Sequence, residues 1–159
     1  MQSITALLVS STDLNWVGLR AILAGWPEVH VVDDVQQREL ALPIAARDRP
    51  DIILVASDLL GMRLVPLVRD LRAASPHSRI VVLGKLLEPE DCSQLDALGV
   101  ASFVQWKVVT LGCIRLALTA VCESQLYMGC EGVVQQLHSP ERFCFARDST
   151  SHHNGPVTR

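Results

Sequence analysis

The residues that could do chemistry stand a few positions after the ends of short apolar runs of the chain. Residues 10–13 read Ser-Ser-Thr-Asp after the first run, and Asp58 follows the third. Lys85 and Lys107 follow two later runs. A carboxylate can ligate a metal ion or attack phosphorus, and a lysine can neutralise an anion. Whether these groups act together depends on the elements that position them.

Five apolar runs, each followed by a helical pattern, predict a sheet of parallel strands. The runs are continuous and not alternating, which is typical of strands covered on both faces. Repeated βα units with right-handed crossovers favour a doubly wound, flavodoxin-like α/β fold, with five strands in the order 2-1-3-4-5 and helices on both faces. Pro43 predicts a kink or a late start in the second helix. The predicted strands span residues 4–9, 29–32, 52–56, 80–83 and 101–104, and the predicted helices span 14–23, 36–47, 64–74, 89–98 and 110–122.

The pattern weakens after residue 124, which divides the 159 residues into three parts. Residues 1–124 are predicted to form the α/β domain. Residues 125–138 predict a linker helix, and the polar residues 139–159 predict a disordered tail. Aromatic residues make up only 4% of the chain, so the core must be aliphatic.

Composition argues against several functional classes. A net charge of -3 disfavours direct binding of nucleic acid. No apolar run approaches the roughly 20 residues that cross a bilayer, and the N-terminus lacks the basic segment of a signal peptide, so we expect a cytoplasmic protein that binds no membrane. We expect the five cysteines to be reduced. We expect no metal site, because the spacing of the candidate ligands fits no zinc pattern: His138, Cys144, His152 and His153.

Several segments resemble one known family in their order and spacing. They are residues 18–23 (GLRAIL), 50–55 (PDIILV), 79–83 (RIVVL), 98–103 (LGVASF) and 121–137. From residue 4 to about residue 137, the sequence resembles the receiver domain of response regulators of the NarL/LuxR type. The resemblance implies a CheY-like fold and a role in two-component, phosphorelay signal transduction or transcriptional regulation.

Carried over residue by residue, the resemblance implies a pocket that has lost its chemistry. The family places two Mg²⁺-binding acids after strand one, where this chain has Ser10 and Ser11. It places the phosphoryl-accepting Asp at the end of strand three, a Thr or Ser after strand four and a Lys after strand five. Ala56, Gly84 and Trp106 stand there instead. Ala56 has no lone pair with which to attack phosphorus, and uncharged hydroxyls cannot replace carboxylates around Mg²⁺. We therefore predict a degenerate receiver that is not an enzyme, with the Trp106 indole filling the pocket.

Neighbouring residues could rescue the pocket, but each has a simpler role. Asp13 is typical of an acid at a helix N-terminus, and Asp58 is typical of a solvated loop. Lys85 and Lys107 stand one position beyond the expected places, and such a shift reverses the face on which a strand residue lies. The acids at positions 33 and 34 are predicted to be surface turn residues away from the pocket.

An interaction surface is predicted from the helix over 110–122, which carries Leu111, Ile114 and Leu118 and a single charged residue, Arg115. So wide an apolar face suggests a second buried side and hence a protein partner. The resemblance implies a dimer surface built from the first and last helices of the domain. We expect a homodimer or a complex with a related response regulator, with Trp16 as an anchor.

The favoured hypothesis is thus a phosphorylation-independent pseudo-receiver that acts through protein contacts. One alternative is a sensor that binds a flavin or another small molecule in the crevice at the strand ends. Residues 10–15 lack the glycine of a phosphate loop, and only Trp106 is near for stacking, so we expect no cofactor. Another alternative is the receiver part of a NarL/LuxR transcription factor that lost its DNA-binding domain. The missing acids disfavour a phosphatase or a kinase-like enzyme.

Overall fold

Strands and helices alternate along the chain, in the order that the apolar runs predict. The computed structural model describes residues 3–59, 61–84, 87–105 and 134–136. The strands are β1 (Ile4–Val9), β2 (Val29–Val35), β3 (Ile52–Ala56), β4 (Arg79–Gly84), β5 (Ser102–Gln105) and β6 (Val134–Gln136). The helices are α1 (Leu14–Ala24), α2 (Arg38–Asp48), α3 (Leu64–Ala74) and α4 (Pro89–Ala97).

The sheet has the order β2-β1-β3-β4-β5-β6. All pairings among the first five strands are parallel, which confirms the predicted doubly wound fold. Every residue of β3 is buried, and so are the last four residues of β1. Because successive strand residues point to opposite faces, the centre of the sheet is covered on both sides.

The sixth strand corrects the sequence analysis. Val134–Gln136 pairs with β5 in an antiparallel register, where a linker helix over 125–138 was predicted. The edge of β5 offers unpaired backbone N–H and C=O groups, and an added strand satisfies them. Hydrogen bonding to the sheet therefore decides the conformation of these residues, and it overrides their weak helical pattern.

Local signals explain where the helices begin and end. The Asp13 carboxylate accepts a hydrogen bond from the N–H of Asn15 at the start of α1, and Gly25 follows its end. Pro89 and two acids open α4. Helix α2 begins at Arg38, two positions later than predicted, and continues through Pro43.

The core is largely aliphatic, as predicted, and its aromatic members among the described residues are Trp16 and Phe103. Trp16 is 0% exposed and belongs to the buried core cluster. The prediction that Trp16 anchors a partner is therefore wrong, because its indole is inside the domain. The large hydrophobic residues of α1 that face solvent are Leu14 and Val17.

Several predictions fall on residues outside the described ranges. They concern the helix over 110–122 with Leu111, Ile114 and Leu118, the disordered tail over 139–159, and the side chains of Lys85, Trp106 and Lys107. Among the described residues, no helix is long and apolar enough to span a bilayer.

Candidate functional site

The carboxyl ends of the central strands bring three of the predicted pocket residues to one edge of the sheet. Strand β3 lies between β1 and β4, with Val9 opposite Val55 and Ala56 opposite Leu83. Ser10 follows Val9, and Gly84 follows Leu83. Both Ser10 and Ala56 are 0% exposed. The strand ends therefore form one site, as the topology predicts.

Ser10 is held by a polar network that the sequence analysis missed. Its backbone N–H donates to the carbonyl of Val35 at 2.9 Å. Its hydroxyl donates to Oδ1 of Asp34 at 2.5 Å and accepts from Nη2 of Arg20 at 3.0 Å. Arg20 also forms an ion pair with Asp34. The prediction of Asp34 as a surface turn residue is wrong, because β2 continues to Val35 and carries Asp34 to the end of β1.

This network has no net charge of its own. The negative charge of Asp34 is balanced by the Arg20 guanidinium, and the Ser10 hydroxyl is satisfied as both donor and acceptor. Ser11 is also buried, and its Oγ accepts from the N–H of Asp13 at 3.3 Å. Both serines, which stand where the receiver family places its Mg²⁺-binding acids, thus form hydrogen bonds within the protein.

Ser57, next to Ala56, makes a second contact that the sequence does not predict. It follows β3, and its N–H donates to the carbonyl of Leu83 at 2.9 Å, which sets it beside the end of β4. A Cβ placed on Gly84 would lie 1.8 Å from Oγ and 2.7 Å from Cβ of Ser57. The Ser57 side chain therefore fills the space into which any side chain at position 84 would project. Whether Trp106 adds to this filling lies outside the described residues.

The acids proposed as rescue residues do not gather into a metal site. Asp13 caps α1, where its Oδ1 accepts from the N–H and Nδ2 of Asn15 at 3.2 and 3.3 Å. Asp58 is half-buried in the loop after β3, and among the described residues its Oδ1 has no hydrogen-bond partner. No group of three or more His, Cys, Asp or Glu side chains suited to a metal exists in the described ranges.

Mg²⁺, which the receiver resemblance implies, does not fit these residues. The ion binds oxygen ligands, normally with one or two carboxylates free to hold it. Ser10 and Ser11 bring no charge, the Asp13 carboxylate caps a helix, and Asp34 is neutralised by Arg20. The rescue of the metal site is not supported by the described residues.

A cleft of about 550 Å³ lies beside Ser57, between the N-terminal ends of α3 and α4. One wall carries Arg63 and Arg69, and the other carries Glu90 and Asp91. The described lining residues include no aromatic side chain. A flavin ring, which binds by stacking and apolar contact, has no platform among them.

Comparison with known proteins identifies the fold and little else. No protein-family model matches the sequence, and no curated protein is significantly similar to it. Solved structures match well. A two-component response regulator of the LuxR family from Aurantimonas sp. SI85-9A1 has a TM-score of 0.69 at 18% identity, covering 80% of this chain and 90% of that one.

Two further structures agree. The receiver domain of the putative response regulator NarL from Mycobacterium tuberculosis has a TM-score of 0.68 at 20% identity, covering 79% of this chain and 100% of that one. The isolated receiver domain of RcsB from Salmonella enterica serovar Typhimurium has a TM-score of 0.69 at 15% identity, covering 79% and 93%. The chain spans 62% of a longer RcsB response regulator structure from Salmonella typhimurium. The resemblance seen in the sequence is confirmed at the level of the fold: this chain has the CheY-like fold of response regulator receiver domains.

Proposed function

We propose that this chain is a pseudo-receiver that acts without phosphorylation, by binding other proteins in signal transduction or transcriptional regulation. The observation that carries the proposal is the fully buried Ala56 at the end of β3, where the receiver resemblance places the nucleophile. A methyl group has no lone pair and cannot form an acyl phosphate. We therefore propose that the chain is not an enzyme.

Two further features support the proposal. On the β1 side, the hydroxyl of Ser10 and the carboxylate of Asp34 bond to each other and to Arg20 instead of standing free for a metal. On the β4 side, Ser57 occupies the space over Gly84, where a receiver would hold a hydroxyl against the phosphoryl group. Phosphoryl transfer relies on positioning and on charge stabilisation, and both are replaced by internal contacts.

The outer face of α1 is the surface proposed to meet a partner. Leu14 is 80% exposed and Val17 is 50% exposed, and the exposed residues between them and the helix end are Gly18, Ala21 and Ala24. The only charged residue of α1 is Arg20, whose side chain turns to Ser10 and Asp34. An uncharged helical face with small residues permits close approach of a second protein. The proposed partner is a second copy of the chain or a related response regulator.

Sedimentation velocity of the purified chain, alone and with candidate full-length regulators, tests this proposal. Wild-type protein is expected to form a dimer or a complex. Val17→Lys is expected to weaken that association by about tenfold or more, because the interface would bury an unpaired charge. Leu40→Lys is the matched control, since Leu40 on α2 is 51% exposed and lies on a different helix. A chain that stays monomeric and binds no regulator contradicts the proposal.

A further inference from the structure

We propose that Arg20 is a built-in cation that takes the place of the divalent metal expected at the strand ends of a receiver fold. The inference rests on the proposed function, and it adds the residue that makes the domain independent of metal. Its basis is a three-membered cluster, Ser10, Arg20 and Asp34, defined here as the β1-end cluster. The cluster joins the end of β1, the middle of α1 and the carboxyl end of β2.

The contacts give Arg20 a central position in the β1-end cluster. Its Nη2 donates to the Ser10 hydroxyl at 3.0 Å, and its guanidinium pairs with the same Asp34 carboxylate that accepts from Ser10. Ser10 is fully buried, and the side chains of Arg20 and Asp34 are 35% and 23% exposed. Attraction between charges is stronger at this partly buried depth than at an open surface.

The same contacts keep a metal ion out. A divalent cation would need the lone pairs of Asp34 that Ser10 and Arg20 now use. It would also stand against the positive charge of the guanidinium. Arginine does not lose its proton in proteins, so this cation is permanent, whereas a bound metal exchanges with solvent. The Arg20 guanidinium thereby neutralises the carboxylate at the strand ends without any bound ligand. In a receiver, the resemblance assigns this role to a metal ion.

Removing the guanidinium should open the carboxylate to Mg²⁺. In wild-type protein, MgCl₂ is expected to leave the melting temperature unchanged relative to a control of equal ionic strength. In Arg20→Met, about 10 mM MgCl₂ is expected to raise the melting temperature by about 3 °C, because a newly freed carboxylate and hydroxyl bind the ion weakly and only in the folded state. The double variant R20M/D34N is expected to lose this response.

Arg38→Met is the matched control, because Arg38 forms an ion pair of similar exposure with Asp70, between α2 and α3 and outside the β1-end cluster. Its melting temperature should fall without gaining a response to Mg²⁺. If Arg20→Met does not fold without added Mg²⁺, its refolding yield in MgCl₂ is compared with its yield in choline chloride, in place of the melting temperature. Arg20→Lys keeps a positive charge at this position and should behave as wild type. A Mg²⁺ response in wild type, or an Arg20→Met response no larger than that of Arg38→Met, overturns the inference. Neither result affects the pseudo-receiver proposal, which depends on whether the wild-type chain accepts a phosphoryl group.

Discussion

At the scale of single residues, the site is defined by what occupies each position and by what presses against it. Gly84 illustrates this. The sequence identifies it as a departure from the receiver pattern, but only the fold shows why glycine is required. The Ser57 side chain lies where a Cβ at position 84 would stand, with Cβ–Oγ and Cβ–Cβ separations of 1.8 and 2.7 Å. Rotation of the Ser57 hydroxyl relieves the first overlap and leaves the second.

Gly84→Ala is therefore expected to lower the free energy of unfolding by about 2 kcal/mol, as overpacking of a core position does. Gly18→Ala is the control, because a Cβ on that helical glycine meets nothing within 4 Å. That substitution is expected to raise the free energy of unfolding by about 0.5–1 kcal/mol through the better helix propensity of alanine. Urea denaturation measures both values.

A second variant separates steric overlap from other causes. Ser57→Gly combined with Gly84→Ala removes both atoms that collide, so the double variant should recover most of the stability lost in Gly84→Ala. A Gly84→Ala protein as stable as wild type would show that the strand ends have room for a side chain. That room would weaken the account of a filled pocket.

The contacts that sequence reasoning missed share one property. Ser10 and Asp34 are separated by 24 positions, and Ser57 meets Gly84 only because β3 and β4 pair in parallel. No local spacing announces such contacts. The positions that depart from the receiver pattern could be predicted, because the resemblance aligns them with the ends of the predicted strands, whereas the contacts that now surround them could be found only in the fold.

At the scale of elements, apolar periodicity predicted most of the structure. The bounds of β3 and α3 agree with the prediction, because continuous burial and an amphipathic pattern with a following Pro76 leave little ambiguity. Strand β2 was predicted too short, since two adjacent aspartates are typical of a turn. Here Asp34 is tolerated in the strand because Arg20 and Ser10 satisfy it.

Arg72 is the side chain that joins the elements at the opposite end of the sheet. Its guanidinium donates to the carbonyls of Pro76 and Ser78 in the α3–β4 connection, and to those of Leu98 and Gly99 in the α4–β5 connection, at 2.7–3.2 Å. Burial lowers the pKa of Arg72 from its ordinary value. The arginine remains a cation, since the ordinary value is far above neutral pH.

Arg72→Met is expected to lower the free energy of unfolding by about 2 kcal/mol, because four carbonyls lose a charged donor while the apolar stem is kept. Arg69→Met on the same helix is the control. Arg69 is exposed and has no ion pair among the described residues, so its loss should change stability by less than about 0.5 kcal/mol. Thermal or urea unfolding distinguishes the two variants. Equal effects of the two substitutions would contradict the role assigned to Arg72.

At the scale of the whole molecule, the fold and the chemistry of its site are separable. The apolar strands β1, β3 and β4 build a buried sheet centre whose packing needs no metal and no phosphoryl group. A CheY-like domain can therefore keep its architecture while Ala56, Ser57 and the β1-end cluster replace the reactive groups. The part of such a domain that is left to act is its outer surface, and the activity proposed for this chain is therefore protein binding.

Intact-mass spectrometry shows whether the strand ends of this domain can take a phosphoryl group. The wild-type chain is incubated with acetyl phosphate and MgCl₂, beside a receiver domain that retains its aspartate as a positive control. We expect no added mass on this chain, because no carboxylate at the end of β3 is available as a nucleophile where Ala56 stands. A Mg²⁺-dependent gain of one phosphoryl group, lost on Asp58→Asn, would contradict it.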